Sequence, residues 1–195
     1  FLPFMTAWYI RRTGDVEVLA ASAPFLVGAD IPPGKHDLYH FAAPTAYAAP
    51  LMEHCLRAIR SLRFGPRHIP LMEGGDWNDG MNHIGAQGWG ESVWLTWFFG
   101  LVLERWGAVA GRCGDREAAE RYQRLSKHFV QQAEGAWDGK WYLRGYDDQG
   151  KPFGSDGNAE CALDSIAQSF AAFAPDSDPT HARQAVASAL EQLWD

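Results

Sequence analysis

One stretch of the sequence limits the possible folds more than any other, the apolar run "SVWLTWFFGLVLERWGAVAG" at residues 92–111. Read as a helix, it is apolar on nearly every side from Glu91 to Trp106, and such a helix must be covered by other elements. Glu104 and Arg105 interrupt the run, so it is more typical of a buried helix than of a membrane span. The sequence therefore predicts a buried helix that the rest of the fold has to cover.

Apolar residues recur at helical spacing in several other segments. Gly14 is a natural C-terminal glycine for the first of these, and Asp115 is a good N-terminal cap for another. The predicted helices cover residues 1–14, 45–62, 116–132, 165–173 and 180–193. The segment "KWYLRGY" at 140–146 predicts a short strand followed by a turn at "DDQGK", so we expect a hairpin near residues 140–153.

Long connections rich in glycine and proline separate these segments, at residues 22–44, 65–90 and 146–160. Loops of this length inside a compact domain are usually functional rather than connective. Buried helices joined by long loops fit an α/α toroid, in which paired helices build a barrel and the loops at one end form a cleft. No short repeat is visible, which argues against a solenoid.

Composition narrows the class of function. The 195 residues suffice for one domain with a substantial core, or for part of a larger one. The net charge of −7, without any basic cluster, argues against a nucleic-acid surface. The three cysteines are widely spaced and favour a reducing compartment, and no signal peptide is visible. Nine tryptophans are consistent with sugar binding, because the apolar C–H faces of sugars stack on indole rings, although most of the nine are expected in the core.

Metal binding is not expected from the histidine pattern. The seven histidines offer no convincing ligand pair. His36 and His40 are four residues apart, but "KHDLYH" has no helical context and indicates a loop rather than a zinc site.

The segment "EGGDWNDGMN" at residues 73–82 places two carboxylates, Asp76 and Asp79, three positions apart around Trp77 and Asn78. The glycines on both sides argue against the interior of a regular helix or strand, so a loop that presents side chains is predicted. Loops carry chemistry more often than packing. On spacing alone, a turn in which Asp and Asn bond their own backbone fits the segment about as well.

The larger segment "GGDWNDGMNHIGAQGWGESVWLTWFF" at residues 74–99 resembles the central motif of the inverting disaccharide phosphorylases, glycoside hydrolase family ninety-four. That family includes cellobiose and chitobiose phosphorylases, β-1,2-oligoglucan phosphorylases and the C-terminal domain of cyclic β-1,2-glucan synthases. The segments "YIRRTGD", "LMEHCLRAI" and "NAECALDSIAQSF" are further points of similarity, and "ALDSIAQSF" favours the cyclic-glucan-synthase branch. The resemblance covers nearly the whole chain.

The resemblance implies an all-α fold with long loops and a short β-hairpin, in which residues 1–195 are part of a single (α/α)6 barrel truncated at both ends. It implies that Asp79 is the general acid and that Trp77 lines the sugar subsite on the non-reducing side of the scissile bond. Asp76 and Asn78 are candidate substrate-binding residues of the same loop, and Asn78 can bond either a sugar hydroxyl or its own loop. No cofactor or metal is expected, and inorganic phosphate is the co-substrate, bound by residues that the family pattern places outside this chain.

The chemistry explains why a carboxylic acid is needed. A glycosidic bond breaks through an oxocarbenium-like transition state, and the departing oxygen takes a proton from the acid. Burial or a nearby like charge raises the pKa of a carboxyl group, and Asp76 is a candidate for that charge unless it bonds backbone amides instead. Because phosphate is already an anionic nucleophile, a phosphorylase needs no catalytic base.

Two further candidate substrate contacts have structural alternatives. Glu91 fits a substrate contact and equally a first-turn carboxylate stabilised by the helix dipole. Asp164 and Gln168 lie one helical turn apart and can line a cleft, but a helix cap and an ordinary surface glutamine fit equally.

The expected function is inverting phosphorolysis of β-glucosides, with β-1,2-glucan as substrate and α-glucose 1-phosphate as product. A helical module that holds glucan without cleaving it is one alternative. Another is an inverting hydrolase, which needs a base such as Asp76, Glu91 or Asp164 about 6.5–9.5 Å from Asp79.

We expect a cytoplasmic location, in a parent protein with or without an inner-membrane attachment, and no membrane contact by this segment. The chain alone is expected to be inactive and to self-associate through exposed apolar helix faces.

Overall fold

A computed structural model describes residues 1–33, 35, 38–74 and 76–194. The chain divides into two compact units, Phe1–Ser61 and Leu62–Asp195. Six α-helices and five short strands are found in the described residues. About 48% of the protein is helical, which is compatible with the predicted mostly helical fold, and the (α/α)6 barrel stays a prediction.

The first unit contains α1 (Leu2–Thr13), β1 (Ser22–Val27), β2 (Ala43–Pro50) and α2 (Leu51–Arg60). As predicted, α1 ends at Gly14, whose positive φ of 76° lets its N–H bond the Ile10 carbonyl. The buried side of α1 is formed by Pro3, Thr6, Ala7 and Ile10. The larger apolar residues Leu2, Met5, Trp8 and Tyr9 are 40–53% exposed.

The predicted helix at residues 45–62 is wrong in its first part. Residues Ala43–Pro50 form β2, which pairs antiparallel with β1, and the helix begins only at Leu51. Proline lacks the N–H that a helix interior needs, and Pro50 has the extended backbone of a residue that precedes a helix.

The connection at residues 22–44 differs from the predicted loop, because it contains the strand β1. The sequence "SAPFLV" carries a proline and no clean alternation, which is why this strand was missed.

The second unit contains α3 (Val93–Arg112), α4 (Arg116–Glu134), α5 (Ser165–Phe173) and α6 (Pro179–Leu193). The predicted buried helix is confirmed, since Trp97 and Trp106 in α3 are 0% and 1% exposed. Helix α4 packs closely on α3, because Gly107 has no side chain to hold the two backbones apart. Asp115 caps α4 by accepting from the Ala118 N–H, as predicted.

A small antiparallel sheet joins the start of α3 to a hairpin. It consists of β3 (Glu91–Ser92), β4 (Gly145–Tyr146) and β5 (Pro152–Phe153), in the order β3-β4-β5. Only glycine fits at position 145, where a Cβ atom would lie 2.3 Å from the Glu91 carbonyl oxygen. The predicted hairpin near residues 140–153 is therefore present, with shorter strands than expected. Its position places Arg144 beside the N-terminus of α3.

Candidate functional site

The loop at residues 73–90 is closed at its base. The Met72 N–H donates to the Gly90 carbonyl at 2.7 Å, and the Asp76 N–H donates to the Met72 carbonyl at 2.9 Å. Gly90 lies against Gly85 so closely that an added Cβ would meet the Gly85 Cα at 2.7 Å. Gly75, one of the paired glycines of the motif, lies outside the described residues. The two ends of the loop are thus held together, and Gly85 packs against them.

Asp76 is the buried carboxylate of this loop. Its side chain has no exposed surface, and its backbone has a positive φ of 50°. The carboxylate accepts from the Trp77 and Asn78 backbone N–H groups, from the Ser92 hydroxyl and from the Arg144 guanidinium. The sequence leaves two roles open for Asp76: a like charge that raises the pKa of a neighbouring carboxyl, or an acceptor for backbone amides. In the structure, Asp76 accepts from backbone amides.

Arg144 is fully buried and forms a two-pronged ion pair with Asp76, with Nη2 to Oδ1 at 2.6 Å and Nη1 to Oδ2 at 2.8 Å. Its Nε donates to Asp164 at 3.0 Å, and Nη1 also reaches the Ser92 hydroxyl at 3.2 Å. Burial acts to lower the pKa of Arg144, but the hydrogen bonds and charges of Asp76 and Asp164 outweigh it and raise that pKa. The guanidinium therefore stays charged and is matched by two carboxylates.

The partners of Arg144 also begin two helices. The Ser92 hydroxyl accepts from the Leu95 N–H and so caps α3, and the Asp164 carboxylate accepts from the Ile166 N–H and caps α5. A cap of this kind satisfies backbone N–H groups that have no partner within the helix. Arg144 thus fixes the loop against the N-termini of two helices at once.

Asp79, the predicted acid, has a different environment. It is exposed and begins a 3₁₀ turn at Asp79–Met81. The Asn78 side chain caps this turn by accepting from the Gly80 N–H at 2.9 Å, so Asn78 bonds its own loop. Among the residues that the structure describes, none forms a hydrogen bond or ion pair with the Asp79 carboxylate.

Two tryptophans project from the same loop. Trp77 is 59% exposed and Trp89 is 60% exposed. The Trp77 ring lies 6.3 Å from the ring of Trp94, which is buried in α3. An exposed indole near a carboxylic acid is suited to packing against the apolar face of a sugar.

Glu91 lies inside the protein, with 0% exposure. Its carboxylate accepts from the Arg67 backbone N–H and from the Arg67 guanidinium, each at 2.8 Å. It belongs to β3 rather than to the first turn of the helix, so its partner is a side-chain cation and not the helix dipole. Direct contact with a sugar would require this part of the structure to open.

Gln168 is also 0% exposed. Its amide accepts from the Tyr142 N–H and donates to the Tyr142 and Asp164 carbonyls, all at 2.9 Å. It ties α5 to the strand that leads into Arg144. Glu91 and Gln168 are thus buried, whereas Asp79 and Trp77 are exposed, and the substrate contacts of Glu91 and Gln168 stay predictions.

Asp148, in the turn of the β4–β5 hairpin, holds the far end of the loop. Its carboxylate accepts from the backbone N–H groups of Gln87, Trp89 and Gly90 at 2.8, 2.9 and 3.0 Å. Burial acts to raise the pKa of Asp148, but these three donors outweigh it and the pKa lies below its usual value. Arg144 and Asp148 therefore hold the loop from opposite ends.

Arg144, Ser92 and Asp148 were not among the candidate site residues from the sequence. A signal was present for Arg144, because a charged residue inside the apolar strand "WYLRGY" has to be paired if it is buried. The signal for Asp148 is weaker. Aspartate is common in turns, so one aspartate of "DDQGK" is explained by the turn itself. The second is the only sign in the sequence of a further role.

The described residues contain no cluster of three or more His, Cys, Asp or Glu side chains that could hold a metal ion. His36 lies outside them. A helix both long and apolar enough to cross a membrane is likewise not found in this part of the chain.

Comparison with known proteins supplies the wider context. Residues 3–194 match the family profile described as "Glycosyl hydrolase 94 superfamily, catalytic domain". Over its whole length the chain is 36% identical to a cyclic beta-(1,2)-glucan synthase, NdvB, of Rhizobium meliloti (strain 1021). Over 75% of its length it is 30% identical to a 3-O-beta-D-glucopyranosyl-beta-D-glucuronide phosphorylase of Paenibacillus borealis. Over the same share it is 31% identical to a solabiose phosphorylase from that organism. The chain spans 7% of the length of the first relative and 17% of the length of each of the other two.

Proposed function

The chain belongs to the glycosyl hydrolase 94 superfamily, and from that premise we propose that it contributes the acid-bearing part of an inverting glycoside phosphorylase site. The proposed reaction cleaves a β-glucosidic bond with inorganic phosphate and releases α-glucose 1-phosphate. β-1,2-Glucan is the proposed substrate, on the strength of the similarity to a cyclic beta-(1,2)-glucan synthase.

The observation that carries this proposal is the contrast between the carboxylates near the loop. Asp79 is exposed and lies two residues after Trp77, whose ring is also exposed. A proton donor must reach the departing oxygen of a bound sugar, and only a side chain with access to the ligand can do so. In this proposal Asp79 protonates the leaving oxygen while Trp77 packs against the sugar on its non-reducing side.

Asp76 serves a positioning role in this proposal. Its carboxylate is held by Arg144 and Ser92 and has no exposed surface, so it is unsuited to exchanging protons with a substrate. Its contacts with the Trp77 and Asn78 N–H groups fix the backbone that leads to Asp79. Loss of those contacts would let the acid drift from the sugar, and small misplacements are costly to catalysis.

The hydrolase alternative is less consistent with this arrangement. An inverting hydrolase needs a second carboxylate that contacts water opposite the acid. The three candidate bases are each paired with an arginine, Asp76 and Asp164 with Arg144, and Glu91 with Arg67. A carboxylate held in an ion pair with an arginine is not free to contact a catalytic water, whereas phosphorolysis needs no base. Binding glucan does not require an acid at position 79. An activity assay therefore distinguishes a glucan-binding module from a phosphorylase.

The test uses the full-length protein with β-1,2-glucan and phosphate, and measures release of glucose 1-phosphate. We expect Asp79→Asn to lower turnover by roughly 10²–10⁴-fold, the usual contribution of general acid–base catalysis. A substrate whose leaving group needs little protonation should be affected much less. The matched control is Glu73→Gln, which removes another exposed carboxylate of the same loop, one that forms an ion pair with Arg63 at the surface. Near-normal turnover by Asp79→Asn, with loss in the control, would exclude Asp79 as the acid.

A further inference from the structure

Trp89 is the second large apolar side chain that the loop leaves exposed, at 60% against 59% for Trp77. The tryptophans of the surrounding core have the opposite character. Trp94, Trp97, Trp106 and Trp141 are all at most 5% exposed. An indole gains free energy when it is covered, so an exposed tryptophan on a loop that also carries the proposed acid is suited to packing against a ligand.

Backbone contacts place the two exposed tryptophans at the same base of the loop. Trp77 follows Asp76, whose N–H donates to the Met72 carbonyl, and Trp89 precedes Gly90, whose carbonyl accepts from the Met72 N–H. Both tryptophans are therefore one residue away from a partner of Met72. The closed base of the loop thus carries both tryptophans, with Asp79 between them in sequence.

The neighbouring aspartates of the hairpin turn have different tasks. Asp147 uses one oxygen, Oδ1, to accept from Gln149 and Lys151 within its own turn. Asp148 uses both oxygens outside the hairpin, with Oδ2 accepting from Gln87 and Oδ1 from Trp89 and Gly90. The hairpin is thus closed without Asp148. Asp148 instead holds the backbone of residues 87–90, which carries the Trp89 side chain.

We propose that Trp89 is a second sugar-stacking residue, which contacts a glucose unit other than the one at Trp77, and that Asp148 is its positioning residue. The apolar C–H face of a pyranose ring packs on an indole face as it would on any flat apolar surface. Because the ligand is a β-glucan, the inference rests on the proposed function. It also adds a consequence: Trp89 contributes more to binding long glucan chains than to binding a disaccharide.

Binding is measured by calorimetry on the full-length protein, with β-1,2-glucan oligosaccharides of increasing length and no phosphate. We expect Trp89→Ala to weaken binding of the longer oligosaccharides by roughly tenfold, as when an aromatic contact residue is truncated. The loss for the disaccharide should be much smaller. In the phosphorolysis assay the same variant should raise KM and leave kcat near normal, the pattern of lost uniform binding.

The variant Asp148→Asn tests whether Asp148 positions Trp89 or supports the structure in a general way. One oxygen of the asparagine amide cannot replace the two that Asp148 uses, so this variant should weaken binding of long oligosaccharides. Asp147→Asn is the matched control, because its single accepting oxygen is retained in the amide. If Asp148 acts through Trp89, then Asp148→Asn should cause no further loss in the Trp89→Ala background. An equal loss in both backgrounds would overturn the positioning role.

The outcomes distinguish this inference from the proposed function. If Trp89→Ala weakens binding while the unmodified protein shows no phosphate-dependent cleavage, the sugar contact stands and the proposed reaction fails. If Trp89→Ala binds long oligosaccharides as the unmodified protein does, the inference is overturned, whatever the turnover. Failure of the unmodified protein to bind any β-1,2-glucan would overturn both.

Discussion

Asp76 and Asp79 are the same residue type, three positions apart in one loop, and the protein treats them in opposite ways. Asp76 is enclosed, and its charge is matched by Arg144. Asp79 is exposed and is the first residue of a short turn that Asn78 caps. The difference teaches that environment, rather than residue type or spacing, assigns the two roles. One end of the motif is fixed so that the other can remain accessible.

The largest expected effect comes from removing the cation of the fixed end. Arg144→Met keeps an unbranched apolar chain but leaves the buried carboxylate of Asp76 and the partly exposed carboxylate of Asp164 without their partner. Breaking a buried ion pair from one side typically costs about 3–5 kcal/mol. We expect a loss of stability in that range, measured as the midpoint shift in urea unfolding followed by circular dichroism. A midpoint within error of the unmodified protein would mean that Asp79 and Asp76 are not held as differently as the structure indicates.

Asp76→Asn tests the same end with a smaller change. Arg144 keeps Asp164, and the asparagine retains some of the backbone contacts, so the expected loss is about 1–3 kcal/mol, as for an unsatisfied buried group. The measurement is again urea unfolding. Turnover should fall as well, but the leaving-group dependence seen for Asp79→Asn should be absent, because the acid remains. A variant that retained full stability and lost turnover only for poor leaving groups would identify Asp76 as the acid.

The far end of the loop is tested by acid titration. Because the folded pKa of Asp148 is depressed, its contribution to stability is present above its unfolded pKa of about 3.9 and is lost as the pH falls through the lower folded value. Asp148→Asn removes the titrating group, so the unfolding free energy should decline less steeply below about pH 3.9. Urea midpoints between neutral and strongly acidic pH give the two slopes. Identical slopes would show that the N–H contacts of Asp148 contribute nothing measurable.

The smallest effect on stability is expected at Asp79 itself. Asp79→Asn changes an exposed side chain, and surface substitutions of this kind usually stay within about 0.5 kcal/mol. The same urea series measures it. The comparison is sharpest if this variant has the smallest stability change and the largest loss of turnover. A stability loss as large as that of Asp76→Asn would instead mean that both ends of the motif are structural.

The sequence predicted best where a single local rule decides the outcome. Apolar residues all around α3 left burial as the only stable arrangement, and Asp115 and Gly14 marked helix ends by their own chemistry. It failed at 43–50, where pairing with β1 and the prolines outweighed a helical spacing of apolar residues. Strand pairing is a long-range property that no local window contains.

The candidate site shows the same limit. The motif identified Asp79 and Trp77 as candidates, since both lie in the quoted segment. It gave no indication that Asp76 would be enclosed by Arg144, which follows 68 residues later. The burial of Glu91 and Gln168 also depends on partners in other elements, Arg67 for the first and Tyr142 for the second. Which carboxylate stays accessible is decided by tertiary contacts.

The span between Asp76 and Arg144 has a consequence for the order of folding. Closing so long a segment costs chain entropy, which is recovered only after the intervening helices α3 and α4 have formed. We expect the ion pair to form late, after the folding transition state, and to be lost early when the protein opens. Contacts of that kind act mainly on the unfolding rate. We therefore expect the Arg144 network to set how long the loop stays assembled, while the helices determine how fast the unit folds.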